Sequence, residues 1–175
     1  MSDRFCHKLR LDQIRDGERL DLVADDPERA AICRRLRLNS LERVEAHVTL
    51  TRTGGIVRAE GRLVAALDQS CVVTGEPVAA HVDEPFSLLF APEPAAGSPD
   101  DEIELGESDC DTVFYDGASI DLGTAVADTL ALSLDPYPRS AGADVALREV
   151  GIITEEQASP FAALAQLKRG DSDKP

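Results

Sequence analysis

Arg43-Val44-Glu45-Ala46-His47-Val48-Thr49-Leu50-Thr51 decides the fold class. Val44, Ala46, Val48 and Leu50 alternate with Glu45, His47, Thr49 and Thr51. Successive side chains of a strand point to opposite faces, so a period of two with one apolar phase marks a strand buried on one side only. Thr53-Gly54-Gly55 follows and predicts a tight hairpin turn. The returning segment, Ile56 to about Asp68, keeps Val57, Ala59, Leu63, Ala65 and Leu67 in one phase. Gly75-Glu76-Pro77 makes the next turn. A third strand is expected from Val78 to Phe90, with Val78, Ala80, Val82, Phe86, Leu88 and Phe90 inward. Consecutive strands joined by short turns pair antiparallel, so these three form a meander.

Outside this block the signals are shorter. Phe5 to Leu11 and Glu18 to Val23 read as short strands, separated by an Asp16-Gly17 turn. Asp26-Pro27-Glu28 opens a helix, with Asp26 as the expected N-cap and Pro27 at the first helical position, where no N–H partner is lost. Ile120 to Leu134 is the strongest helical segment. Leu122, Val126, Leu130 and Leu134 recur every four residues, Ser119 or Asp121 can cap the start, and Pro136 and Pro138 end it. Val113 to Tyr115 suggests a further short strand, and Ser159-Pro160 opens a short helix reaching Lys168. The apolar strand faces need a cover, and the Leu122–Leu134 helix is the best candidate. The expected fold is α+β: a curved or barrel-like antiparallel sheet covered by a few α-helices. It forms one domain over residues 1–170, with a Pro-rich acidic loop at 91–111 and a tail at 171–175.

The chain has 175 residues, of which 43% are hydrophobic, enough for a core. With five Phe, two Tyr and no Trp, that core must be aliphatic. No apolar run approaches the roughly 18 residues that span a bilayer, and the charged N-terminus has no signal-peptide core. The expectation is a cytoplasmic protein whose cysteines (Cys6, Cys33, Cys71 and Cys110) are free thiols. The net charge of −15 is segregated. Met1 to Arg62 carries +2 and Arg139 to Pro175 carries −1, while Leu63 to Pro138 has 16 acids and neither Lys nor Arg. Such a surface repels phosphate backbones and attracts basic partners over about a Debye length, although it also serves solubility alone.

Catalytic signatures are missing: there is no nucleophile elbow, phosphate loop, dinucleotide fingerprint or zincin motif. His7, His47 and His81 fall on separate strands. Asp109-Cys110-Asp111 suggests a calcium loop, but the sixth and twelfth positions hold Phe114 and Ile120 instead of Gly and Glu, which leaves a solvated acidic turn. Cys71-Val72-Val73-Thr74 offers one thiolate where a zinc or redox pair needs two, so Thr74 reads as a hydroxyl supporting the turn beside a buried Cys71. No metal or cofactor is expected.

Several segments together resemble the YceD family, the large ribosomal RNA subunit accumulation proteins, and most closely those of α-proteobacteria. They are the Cys71-Val72-Val73-Thr74-Gly75-Glu76-Pro77-Val78 knuckle, Tyr115-Asp116-Gly117, Ile120-Asp121-Leu122-Gly123, the Leu130-to-Pro138 helix end, and Ser159-Pro160-Phe161-Ala162-Ala163-Leu164. The resemblance runs from about Phe5 to Lys168. It implies a non-enzymatic role in ribosome biogenesis, in the accumulation or processing of large-subunit (23S) ribosomal RNA. It also implies a gene neighbour encoding a small basic ribosomal protein. Many relatives carry Cys-x-x-Cys at the knuckle. Here Cys71, Gly75 and Pro77 keep its frame while Thr74 replaces the second Cys, so a zinc-ribbon feature is expected to be missing.

Three functions follow in order of support. In the first, the acidic half binds a basic large-subunit ribosomal protein or a pre-ribosomal particle, through Asp100, Asp101, Glu102, Glu104, Glu107, Asp109 and Asp111. In the second, ribosomal RNA itself is the partner, bound by Arg29, Arg34, Arg35 and Arg37 on the first helix, because RNA affinity comes largely from Lys and Arg on phosphate. The third is a metal-dependent nuclease built on the acidic cluster. It is remote, because a Pro-rich loop is a poor frame for metal geometry.

Overall fold

The computed structural model describes residues 5–93, 111–149 and 151. The chain falls into two compact units: one from residues up to Gln69 together with Ala79–Pro136, the other from Ser70–Val78 together with residues from Tyr137 onward.

In the first unit, β1 (Lys8–Arg10) leads through a 3-10 turn to β2 (Glu18–Val23), α1 (Asp26–Leu36), β3 (Ser40–Thr53), β4 (Ile56–Ser70) and β5 (Pro77–Pro92). After these come β6 (Thr112–Tyr115), β7 (Ser119–Asp121) and α2 (Leu122–Leu132). A five-stranded sheet runs β2-β3-β4-β5-β6, and β1 pairs with β7 in a separate two-stranded ribbon. The alternation read in the sequence is the alternation of burial. Val44, Ala46, Val48 and Leu50 of β3 and Val57, Ala59, Leu63, Ala65 and Leu67 of β4 are all buried. Val82 and Phe90 of β5 join them, while Ala80, Phe86 and Leu88 pack partly exposed against the same cluster.

The sheet departs from the expectation in two ways. Among the described residues it is open, with β2 and β6 as its edges, and is not closed as a barrel. It is also mixed, because β6 runs parallel to β5. Parallel neighbours need a long crossover, and the segment between Pro92 and Thr112 is long enough to supply one.

Leu122, Val126 and Leu130 of α2 are fully buried in the same cluster as the strand residues, so this helix contributes to the core as expected. Each such side chain contributes about 1.5–3 kcal/mol by leaving water. An isolated helix of fewer than ~12 residues is marginal in water, so packing and not propensity holds these eleven. The helix is shorter than its periodicity predicted. Ile120 belongs to β7, and Asp121 is the N-cap, accepting from the Thr124 N–H at 3.1 Å and from its hydroxyl at 2.9 Å. In α1 the N-cap is Asp25, one residue before the expected Asp26. Asp25 and Glu28 form a reciprocal capping box, and Pro27 lies in the first turn.

The second unit holds the turn between β4 and β5 and a helix, α3 (Ala143–Glu149), that sequence periodicity did not indicate. Among its described residues Ala143 and Cys71 are buried, at 1% and 3% exposure, and so is Pro138. The expected Ser159–Lys168 helix and the 171–175 tail lie outside the described residues. Among the described residues no helix is long and apolar enough to cross a membrane.

Candidate functional site: a polar knuckle and an acidic sheet edge

Cys71 follows the last residue of β4, and the chain turns back through Thr74 and Gly75. Gly75 has φ +74°, a conformation that costs a residue with a Cβ but not glycine. Its N–H donates to the Cys71 carbonyl at 2.9 Å, and the Cys71 N–H donates to the Glu76 carbonyl at 2.8 Å, so the knuckle closes on itself. The Cys71 sulfur accepts from the N–H of Ser140 at 3.2 Å and of Thr74 at 3.4 Å. Where a second thiolate would stand, a polar relay has formed. Thr74 Oγ1 and Ser140 Oγ lie 3.1 and 2.8 Å from Glu76 Oε2 and 3.2 Å from each other. Each hydroxyl has one proton and the carboxylate has none to give, so Glu76 and the Cys71 sulfur compete as acceptors for the two hydroxyl protons. The Glu76 N–H returns to Thr74 Oγ1 at 3.3 Å. One thiolate, two hydroxyls and a bridging carboxylate do not fit zinc, which prefers closed sets of Cys and His. Among the described residues no group of three or more His, Cys, Asp or Glu is placed to hold a metal ion.

This environment favours the thiolate. The Thr74 side chain, followed by the Ser140 side chain and the two N–H groups, outweighs burial and lowers the Cys71 thiol to about 6. The ultraviolet thiolate absorbance that Cys71→Ser removes should therefore titrate near that value. With Thr74→Val it should move up toward the ordinary thiol range of about 8.5. A midpoint already in that range in the unmodified chain would contradict the geometry.

Of the acids assigned to partner binding, Asp100, Asp101, Glu102, Glu104, Glu107 and Asp109 lie outside the described residues. Asp111 is described and exposed at the start of β6, where its carbonyl accepts from the Leu89 N–H at 3.0 Å. Folding interleaves part of the charge that the sequence segregates. Arg62 donates to Asp83 at 2.5 Å and Arg35 pairs with Asp128, each joining an N-terminal arginine to an acid of the 63–138 stretch. Glu84, Glu93, Asp111 and Asp116 carry no ion pair among the described residues.

The arginines assigned to RNA are largely occupied. Arg29 donates to the Ala24 carbonyl at 2.8 Å and pairs with Asp26. Arg35 pairs with Asp128, and Arg37 is the left-handed C-cap of α1 with φ 55°. Arg34 and Arg35 rim a groove of about 600 Å³ floored by Phe5, Ile32 and Ala127. The histidines do not gather: β4 separates the strands of His47 and His81, and His47 Nδ1 instead meets Asp21 Oδ1 at 2.6 Å.

The first unit is thus an α+β domain with a mixed sheet, and the knuckle brings no catalytic constellation with it. The family model described as large ribosomal RNA subunit accumulation protein YceD matches residues 59–168, and the chain belongs to that family. No curated protein and no solved structure matches it. The match covers β4 from Ala59 onward, the knuckle, β5 and α2, so the segments quoted from Cys71 to Leu164 fall inside it.

Proposed function

We propose that this chain supports accumulation of large-subunit ribosomal RNA without catalysing a reaction, by holding a basic ribosomal protein against its acidic half. The family description supports the ribosomal role. The observation that carries the mode of action is the absence of any Lys or Arg from residues 63–138 beside 16 acids. Such segregated charge repels itself in the compact state and repels phosphate, but complements a basic protein that has yet to meet its RNA. The α1 arginines favour this reading over direct RNA binding, because Arg29 and Arg35 are engaged within the fold.

The test uses purified large-subunit ribosomal proteins titrated against the whole chain at rising salt. Changing Asp100, Asp101, Glu102, Glu104 and Glu107 together to Asn or Gln should weaken capture by about tenfold or more, and salt should weaken capture by the parent chain in the same way. Changing Arg29, Arg34 and Arg35 to Gln should leave capture intact. The opposite pattern would make RNA the direct partner. In cells, deleting the gene should lower large-subunit relative to small-subunit ribosomal RNA, and unchanged subunit ratios and precursor ends would refute the role.

A further inference from the structure

The edge strand β6 is four residues long and pairs on one side only within the described sheet. The Leu89 N–H donates to the Asp111 carbonyl at 3.0 Å and the Glu93 N–H to the Tyr115 carbonyl at 3.1 Å. In a parallel pair, alternate residues turn both backbone groups to the same neighbour. Residues 111, 113 and 115 therefore face β5, and Thr112 and Phe114 direct their N–H and C=O groups away from it. An open row of this kind is a template for another strand, and natural edges are commonly blunted by lysine, proline or a covering element. β6 has no Lys or Pro. Its surroundings carry the opposite sign: Asp111 precedes it, Asp116 follows it, and Glu93, the residue after β5, bonds its N–H to Tyr115, all three exposed. Phe114 is 56% exposed. Beneath the strand is a cleft of about 270 Å³ whose apolar wall is Phe90, Val113 and Ala125 and whose charged lining is Asp116, Asp121 and Asp128 against one basic side chain, Lys8.

We propose that β6 is a docking edge for an extended basic segment of a partner protein. The segment adds as a strand beside Thr112–Tyr115, places an apolar side chain in the cleft on Val113, and sets flanking lysines or arginines against Asp111, Asp116 and Glu93. Backbone bonds to Thr112 and Phe114 give affinity in the manner of strand addition, and the carboxylates select the charge of the incoming segment. This deepens the reading of the chain as a binder of basic proteins and rests on it.

Two probes separate the two ideas: purified basic large-subunit ribosomal proteins, and a short synthetic peptide of alternating lysine and valine. A proline-interrupted version of the peptide that cannot form a strand is the control. Both probes are titrated against the whole chain, against Phe114→Pro, which removes one outward N–H, and against Asp111→Lys/Asp116→Lys, which reverses the charge without touching the backbone. Amide exchange of α2 reports whether each variant is folded, and Glu84→Gln serves as an acid neutralised elsewhere on the sheet.

The expected result is that both probes bind the parent chain and Glu84→Gln alike and slow exchange of the Thr112 and Phe114 amides. Binding should weaken by about tenfold or more in the charge-reversed chain, and in Phe114→Pro if it is folded. If the ribosomal proteins bind the parent and the charge-reversed chain equally, the edge proposal fails while the basic-partner reading stands. If the peptide alone binds, with the same sensitivity, the edge stands and the ribosomal partner is wrong. Slow exchange of both outward amides in the free chain would show the edge already covered and would overturn the proposal.

Discussion

Gly61→Ala should be among the most destabilising single substitutions in this chain, and Gly61→Val should prevent the sheet from forming. Gly61 lies in mid-β4, opposite Val48, in the inward phase between Ala59 and Leu63. A glycine in a strand interior ordinarily weakens it, so its presence here needs a reason. The reason is space. A Cβ at Gly61 would lie 2.1 Å from the His47 carbonyl oxygen and 3.1 Å from the Phe86 ring. The ring can move, but the oxygen belongs to the β3 backbone and moves only if the β3–β4 ladder opens. That ladder joins strands of 14 and 15 residues at the centre of the sheet, so the strain falls on the largest shared element. Overpacking costs about 1–3 kcal/mol where side chains absorb it. Here backbone must absorb it, and a loss of about 4 kcal/mol or more is expected against a domain stability of about 5–15. Urea unfolding of Gly61→Ala measures this directly, with Gly142→Ala as a comparison whose added Cβ meets only Glu76 Oε2, at an ordinary 3.7 Å. A midpoint for Gly61→Ala close to that of the parent would show that the ladder yields easily.

The sequence reveals β3, β4 and β5 because each is buried on one face, and burial on one face imposes period two on residue choice. β2 was legible to the residue, from Glu18 to Val23, since the Asp16-Gly17 turn marks its start. α3 was not: seven residues of Ala143–Glu149 offer too few turns to show a period. The parallel pairing of β6 was hidden because strand direction depends on where a long connection crosses, and no residue type encodes that. Thr74 was legible as a hydroxyl supporting the knuckle. Its partner Ser140 was not, since 66 residues separate them and only the fold joins them. The charge map shows the same limit. Composition reveals the excess of acid, whereas the pairing of Arg62 with Asp83 follows from their adjacent strands.

Asp121→Ala should cost about 2 kcal/mol or more, and the cost should fade in acid. Asp121 was recognisable as a cap from its place before the Leu122 periodicity, but its wider role was not legible. One carboxyl oxygen accepts from the Thr124 N–H at 3.1 Å and from the His7 N–H at 3.1 Å. The other accepts from the Thr124 hydroxyl at 2.9 Å and the Cys6 thiol at 3.0 Å. The carboxylate therefore ties the N-terminus of α2 to the chain entering β1, 114 residues away. The Leu122 N–H donates to the His7 carbonyl at 3.0 Å and completes the junction. Losing a cap alone costs about 1 kcal/mol, and further N–H groups left without an acceptor add to it. Asp121→Asn keeps one acceptor oxygen for the N–H groups and loses the charge, so its cost should be smaller.

The pH dependence separates charge from geometry. Burial raises the Asp121 pKa, but the bonds from Cys6, Thr124 and His7 outweigh it and hold the group below the ordinary aspartate value. A carboxyl whose folded pKa is depressed adds stability that is fully present above its unfolded pKa, near 3.9, and is lost as pH falls through the folded value. The stability gap between parent and Asp121→Asn should therefore be constant at neutral pH and begin to close below about pH 4. Thermal unfolding of the two proteins across that range, compared with Asp116→Asn as an exposed acid, tests the sign. A gap that widens in acid would mean that the protonated carboxyl holds the junction better than the anion, and that the four donors are not what keeps α2 on β1.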